Sequence, residues 1–393
     1  MSGVTQDPAT GILHAILLPG VHAGGPVRFQ LVAQDGAARA GLLHTPHGTI
    51  RTPCFAPVAT AATVRAMPVW ALQDLGVDLL LANTFHLALR PGTELIAQAG
   101  GLHAFMGWTG PLLTDSGGFQ LLSLRHLRRL TDDGVTFRSP IDGRLWAFTP
   151  ERVIEIQETL GSDIITPLDV CSGYPLGEAE AEEALRRTMG WLERSCAVRR
   201  RSDQALFGIV QGGFSPALRA KAASHAVALD LPGYAIGGLS VGEPPSLTAA
   251  LLEATVTRLP EDRPRYLMGV GTPPSLVEAT ARGIDLFDCA LPTRAARTGV
   301  VFTRRGRINL RHSTFRTDFG PLDPECACRV CRTHTRAYLR HLFKAGEMLG
   351  AILATHHNLA FLLRWMHEMR VAILEGRFEA WRLEVRSAYA TRW

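Results

Sequence analysis

The densest chemical signal in the chain is Cys326-Ala327-Cys328-Arg329-Val330-Cys331, followed 26 residues later by His357 in Thr355-His356-His357-Asn358. Three thiolates and one imidazole fill a tetrahedral Zn2+ shell and leave no open position, so one zinc per chain in a structural role is expected. His334 and His356 compete for the fourth place, and spacing does not decide among the histidines. A second signal is Leu113-Thr114-Asp115-Ser116-Gly117-Gly118-Phe119-Gln120. Its serine and glycines leave backbone N–H groups free for a ligand, and Phe119 can lie against a flat ring. A third is Asp288-Cys289-Ala290-Leu291-Pro292-Thr293-Arg294, a carboxylate with Arg294 and then Arg297 close behind. Carboxylate plus guanidinium suits chemistry beside a phosphate. Two carboxylates flanking a sugar permit double displacement at an anomeric carbon. One attacks to give a covalent glycosyl-enzyme, the other moves a proton, and configuration is retained.

Such residues need a scaffold that gathers distant segments. Short apolar runs without alternation recur at 54–58, 77–81, 111–114, 164–168, 206–210, 234–236, 265–270 and 284–287, the pattern of parallel strands buried on both faces. Helical periods lie between several of them, at 178–201, 216–229, 246–259 and 274–282. Eight such units predict an α/β fold closed into a (β/α)8 TIM barrel rather than an open sheet. The residues just past each strand then meet on one face, and here they include Asn83, Asp115, Asp169, Gln211, Gly238, Gly271 and Asp288. Turn-forming Asp and Gly are ordinary at any single strand end; the set together suits a flat, hydrogen-bonding ligand.

The barrel is not the whole chain. Residues 1–25 show no sustained period and are expected to be a poorly ordered leader with no assigned function, leaving 26–393 for the barrel and its additions. Two apolar runs within 27–45 flank Gln34-Asp35-Gly36, which predicts an antiparallel lid hairpin at the N-terminal side. Asp142-Gly143 predicts a further inserted hairpin over 135–148. Residues 299–357 form a second insertion near the last β/α unit and hold the cysteine cluster as a zinc-binding subdomain. Beyond Gly350, the spacing of Ile352, Leu353, Leu359, Phe361, Leu362, Trp365, Met366 and Met369 predicts a helix packed on the body.

Composition narrows the function classes. Over 393 residues, 46% hydrophobic and 20% charged residues exclude a disordered, collagen-like or coiled-coil protein. The formal charge of +5 is mild, but of the sign a polyanion partner favours. Seven arginines fall between Arg294 and Arg316, with Phe302 and Phe315 among them, a candidate phosphate-tracking surface whose plain alternative is a solvated face. Arg186, Arg187 and Arg199 to Arg201 share a stretch with many glutamates and read as solvated ion pairs. No run of about 18 apolar residues and no secretory signal is present, so a membrane protein is excluded and a cytoplasmic location expected. Seven cysteines, an odd number, argue for a reducing compartment and against a disulfide framework.

Taken in order, Asn83-Thr84-Phe85-His86-Leu87, Arg90-Pro91-Gly92, Thr114-Asp115-Ser116-Gly117-Gly118-Phe119-Gln120, Phe207-Gly208-Ile209-Val210-Gln211-Gly212, Gly237-Gly238-Leu239-Ser240-Val241-Gly242-Glu243, Asp288 to Arg294, and the cysteine cluster with His357 resemble the bacterial tRNA-guanine transglycosylases. The resemblance runs from about residue 26 to 375. It implies a pentosyltransferase on a (β/α)8 barrel with a zinc subdomain. That enzyme exchanges guanine at the wobble position of tRNAs with GUN anticodons for 7-aminomethyl-7-deazaguanine, the prequeuosine base, through a covalent enzyme–tRNA intermediate. It implies Asp288 as nucleophile and Asp115 as general acid and base. Ser116, Asp169, Cys171, Gln211, the Gly238 backbone, the Leu239 carbonyl and Val241 match the base pocket, Phe119 and Met268 the stacking pair, and Arg294 and Arg297 the residues reading the flanking uridines. A base taken from its stack between a ring and a thioether is physically sensible. The resemblance also implies a homodimer.

One departure stands out: many bacterial relatives have Glu where Val170 stands and Thr-Pro where Ser172-Gly173 stands. Cys171 and Val241 are the bulkier residues associated with the prequeuosine base, and a queuine-inserting salvage enzyme is the alternative. Two other classes are weaker. A non-catalytic tRNA-binding subunit would lack one of Asp115 and Asp288, and a zinc hydrolase would need an open metal position.

Overall fold

The computed structural model describes residues 25–124 and 128–389. Apart from Gly25, the expected leader lies outside the described residues. Eight parallel strands form the centre: Cys54–Ala59, Leu80–Asn83, Leu112–Asp115, Ile164–Ile165, Ala205–Leu206 continuing as Gly208–Val210, Tyr234–Ile236, Arg265–Leu267 and Leu286–Cys289. The fifth strand closes the ring. Its first piece pairs with the fourth strand and its second with the sixth, and only Phe207 lies between them. The Phe207 N–H donates to the Ile165 carbonyl at 2.9 Å, and the Gly208 N–H to the Gly233 carbonyl at 3.0 Å. With the first and eighth strands also paired, the predicted TIM barrel is complete.

All eight predicted runs overlap an observed strand. The second starts later than expected, at Leu80, and Asp78 ahead of it takes two hydrogen bonds of 2.9 Å from Arg51. Helices Glu178–Val198, Pro216–Ala228, Pro245–Val256 and Pro273–Thr280 fill the predicted helical stretches. Prolines occupy the first turn of the last three, where a missing N–H costs nothing.

The N-terminal hairpin is present and gains a third strand: Arg28–Asp35, Ala38–Thr45 and Gly48–Thr52 form an antiparallel sheet. Its Phe29, Leu43 and Ile50 share one core with Leu113, Ile164 and Phe207, so it floors the barrel at the N-terminal ends of the strands. The lid expectation is therefore corrected: the sheet lies opposite the strand ends that carry Asp115 and Asp288. Asp163 ties it down, accepting the backbone N–H of His47 at 3.2 Å and of Leu112 at 2.8 Å. The predicted hairpin at 135–148 also appears as Val135–Arg138 and Leu145–Phe148, extended by Arg128–Leu130.

After the eighth strand come helix Leu291–Arg297, the hairpin Val300–Thr303 with Gly306–Asn309, and the segment bearing the cysteines. The long helix Met348–Leu374 then packs back on the barrel through Leu359, Leu362, Trp365 and Met369, while Ile352 stays at the surface. Asn358 locks the junction. Its Oδ1 accepts from the Phe302 N–H at 3.0 Å, and its Nδ2 donates to the Pro292 and Val300 carbonyls at 3.0 and 3.1 Å. Among the described residues no helix is long and apolar enough to cross a membrane.

Candidate active site and metal centre

A cavity of about 480 Å3 opens at the C-terminal ends of the strands. Asp115, at the end of the third strand, accepts from Asn83 Nδ2 at 2.7 Å and from the Thr84 N–H at 3.3 Å. Burial, and next the charge of Asp288, push its pKa up to about 7. A carboxyl so placed can give or take a proton near neutral pH. Asp288, on the eighth strand, accepts from the Tyr266 hydroxyl at 2.6 Å and the Gly269 N–H at 2.8 Å. Burial raises its pKa too, but those two donors pull it back toward the ionised form. One carboxyl poised as an acid beside one whose charged form is favoured by two donors is the division of labour that double displacement needs.

The remaining wall suits a planar, polar ring. Asp169 accepts from Gln211 Nε2 at 2.7 Å and Ser116 Oγ at 3.3 Å, and burial lifts its pKa. Gly118 is obligatory here because a Cβ would stand 2.1 Å from Asp169 Oδ1. Phe119 is 58% exposed at the rim, and Met268 is half-buried across the same cavity, so the two can lie on opposite faces of a flat ring. Cys171, Gly238, Leu239 and Val241 complete the far wall.

Arg219 holds that wall in shape. Fully buried on helix Pro216–Ala228, it donates to the carbonyls of Gly213 at 2.9 Å, Gly237 at 3.1 Å from both Nη atoms, and Gly238 at 3.2 Å. Glu243 grips the next turn, accepting the N–H groups of Ser240 at 2.5 Å and Val241 at 2.9 Å. Ser240 sits at φ 57°, a strained conformation for a side-chain-bearing residue that the clasp sustains.

The cysteines form a separate centre. The ligand-type atoms of Cys326, Cys328, Cys331 and His357 all lie within 4.8 Å of one another. His357 Nδ1 stands 3.3 Å from Cys331 Sγ and 3.6 Å from Cys328 Sγ, close to the roughly 3.5 Å edge of a tetrahedral zinc shell. The other ring nitrogen, Nε2, donates to the Phe302 carbonyl at 2.7 Å, which fixes the tautomer and turns the Nδ1 lone pair toward the thiols. The group can hold a metal ion, and it is His357 rather than His334 that completes it, since His334 stacks on Tyr338 instead. One other group of ligand-type residues exists among those described: His47, His103 and Asp163. Its imidazoles stack 3.7 Å apart at 17°, so their in-plane lone pairs run side by side and do not converge on one ion.

The model of the family described as Queuine tRNA-ribosyltransferase matches residues 34–391. Curated proteins named queuine tRNA-ribosyltransferase are similar over nearly their full length. The one from Pelotomaculum thermopropionicum is 53% identical over 89% of this chain and 95% of its own. The Thermus thermophilus protein is 52% identical over 90% and 92%, and that of Aquifex aeolicus 50% over 93% and 98%. The chain belongs to the queuine tRNA-ribosyltransferase family.

Within this ribosyltransferase, the structure brings together Asp115, Ser116, Phe119, Asp169, Cys171, Gln211, Gly238, Leu239, Val241, Met268, Asp288 and Arg294 around one cavity. Arg297 stands outside it, on the last turn of helix Leu291–Arg297, with its pKa lowered by burial and then by the charges of Arg65 and Arg294. Arg65 and Arg294 are close enough for their charges to be felt at Arg297, and of the three Arg294 alone lines the cavity. Gly271 does not reach the cavity; it is pressed against Cys289, and Gly269 takes the place expected for it. Val170 is 6% exposed in the core and absent from the cavity wall, so the departure at this position leaves the pocket surface intact.

The arginine-rich stretch divides. Arg304 is paired with Glu368 and lies over the Trp365 ring, and Phe302 is buried rather than part of the surface, so this portion is structural. Arg186 and Arg187 make the expected surface pairs with Asp132 and Glu183. Sequence reasoning missed Tyr266, Arg219 and Glu243 as supports of the pocket. The one available signal was the Tyr266 hydroxyl inside a short strand whose next residue is Leu267.

Proposed function

We propose that this protein is a tRNA-guanine transglycosylase that exchanges guanine at the wobble position of GUN-anticodon tRNAs, those for Asp, Asn, His and Tyr, for the prequeuosine base. The observation that carries this reading is the pair of unlike carboxyls at one cavity: Asp115, shifted to about 7, and Asp288, held by two donors. Asp288 attacks the anomeric carbon of the ribose while Asp115 protonates the departing guanine. The incoming base then gives its proton to Asp115 and displaces Asp288, so two inversions return the original configuration. Asp169, with Gln211 and Ser116 behind it, accepts from the purine edge, and the Gly238 N–H meets its carbonyl. The Leu239 carbonyl takes the aminomethyl group, with Cys171 and Val241 limiting the space around it. Phe119 and Met268 sandwich the ring. Arg294 and Arg297 contact the bases and backbone of the anticodon loop.

Cys326, Cys328, Cys331 and His357 hold one Zn2+ per chain, whose bonds fasten the 299–357 subdomain to the long helix. Residues 26–393 act as one functional unit, which works as a homodimer in the cytoplasm. The test offers purified protein a tRNA-Tyr carrying radiolabelled guanine, with the prequeuosine base and queuine in parallel. Release with the prequeuosine base alone is expected. Release with queuine would make this a salvage enzyme, and no release with either would overturn the transferase reading.

A further inference from the structure

The barrel interior carries a hydroxyl that packing alone does not require. Tyr266 is 1% exposed on the seventh strand, within an apolar core that includes Phe207, Ala235 and Leu286. A phenylalanine would fill the same space, and a buried hydroxyl is unfavourable unless it is bonded. Its partner is Asp288 Oδ1 at 2.6 Å. The second donor to that same oxygen is the Gly269 N–H at 2.8 Å, presented by a backbone at φ 76° that favours glycine although a Cβ would meet nothing within 4 Å. Both hydrogen bonds to Asp288 among the described residues therefore end on Oδ1, and the carboxylate faces the cavity.

We propose that Tyr266 is a positioning residue that divides the work of the nucleophile, holding Asp288 Oδ1 as a fixed acceptor so that Oδ2 is the oxygen that attacks and later leaves. The inference rests on the base-exchange reading above. In the first half-reaction, an electron pair on Oδ2 forms the bond to the anomeric carbon. The carbon–nitrogen bond breaks, its pair stays with guanine, and Asp115 supplies the proton. Oδ1 is then the ester carbonyl, still facing both donors. In the second half-reaction the incoming base loses its proton to Asp115 and bonds to the same carbon, and the carbon–Oδ2 bond breaks with its pair returning to the carboxylate. A phenol hydrogen bond is stronger to a carboxylate than to an ester carbonyl, so Tyr266 favours departure of Asp288 over accumulation of the adduct.

The test measures formation of the covalent tRNA adduct and its chase by the prequeuosine base in separate single-turnover experiments. Tyr266→Phe is expected to slow the chase by about 5- to 10-fold, the difference between a charge-assisted and a neutral hydrogen bond, while formation changes less. The acid limb of adduct formation moves to higher pH, because the ionised carboxylate has lost a donor. Replacing Tyr266 by 3-fluorotyrosine, a stronger donor of nearly the same shape, shifts the partition the opposite way. Equal slowing of both steps in Tyr266→Phe with an unmoved acid limb overturns the proposal, as does a shift of the same sign in both variants. Failure of the parent protein to form any adduct refutes the base-exchange reading itself, whereas a parent adduct with an unchanged partition refutes only the role of Tyr266.

Discussion

Replacing Asp115 by asparagine is expected to destroy exchange yet stabilise the fold at neutral pH and above, although the amide keeps an acceptor for only one of the two donors, Asn83 Nδ2 and the Thr84 N–H, and the size of the gain depends on pH. Folding pushes the carboxyl up from the ordinary aspartate value of 3.8 to about 7, chiefly because it is buried and then because Asp288 is close. A pKa raised by folding means that the neutral form is the one the fold favours. Its contribution is fully present below the unfolded value and is lost as pH rises through 7. About three units at about 1.4 kcal/mol each cap the cost of ionising it at about 4 kcal/mol. Water in the open cavity screens part of this, leaving about 2 kcal/mol for an isosteric amide to recover. Urea unfolding of the parent and Asp115→Asn at pH 5, 6, 7 and 8 measures it. The stability difference should widen from pH 5 to 7 and level off by 8. A difference constant across that range would refute the reasoning, and so would one that narrows.

Two further substitutions probe the pocket wall and the metal centre. Arg219→Met should cost about 3 to 5 kcal/mol in urea unfolding, because it strands the buried carbonyls of Gly213, Gly237 and Gly238. Any active Arg219→Met protein should show a higher KM for the incoming base, and an unchanged KM would deny Arg219 its hold on that wall. Cys328→Ala should bring zinc content toward zero by elemental analysis and loosen the 299–357 segment in hydrogen exchange. Full zinc occupancy in that variant would refute the ligand set.

What the chain declares about itself is mostly local. Asp115 and Asp288 were legible because each ends a short apolar run, and a barrel sends all such ends to one face. The metal group was legible for the same reason, three of its members lying within six residues. The supporting contacts were not, since they join segments that are neighbours in the barrel but well apart in the sequence. Asn83 reaches Asp115 across 32 residues and Tyr266 reaches Asp288 across 22, and nothing in either segment names its partner. Arg219 lies on an alanine-rich helix, and nothing in that stretch marks it as the residue that points inward at two glycine turns. The N-terminal hairpin was recognised from its Asp-Gly turn, but a turn carries no information about which end of the barrel it covers. Phe302 stood among arginines in the sequence, and only the fold shows that it faces the core, with Arg304 packed over Trp365 and Arg305 and Arg307 exposed.

The central claim is that the chemistry passes through a bond between Asp288 and the ribose. The most direct measurement traps the protein on tRNA in the absence of an incoming base, digests the adduct and locates the ribose-linked residue by mass spectrometry. A single modified peptide bearing the ribose on Asp288 is expected, with no adduct from Asp288→Ala although that variant still binds tRNA. An adduct that survives in Asp288→Ala, or that maps to Asp115, would contradict it.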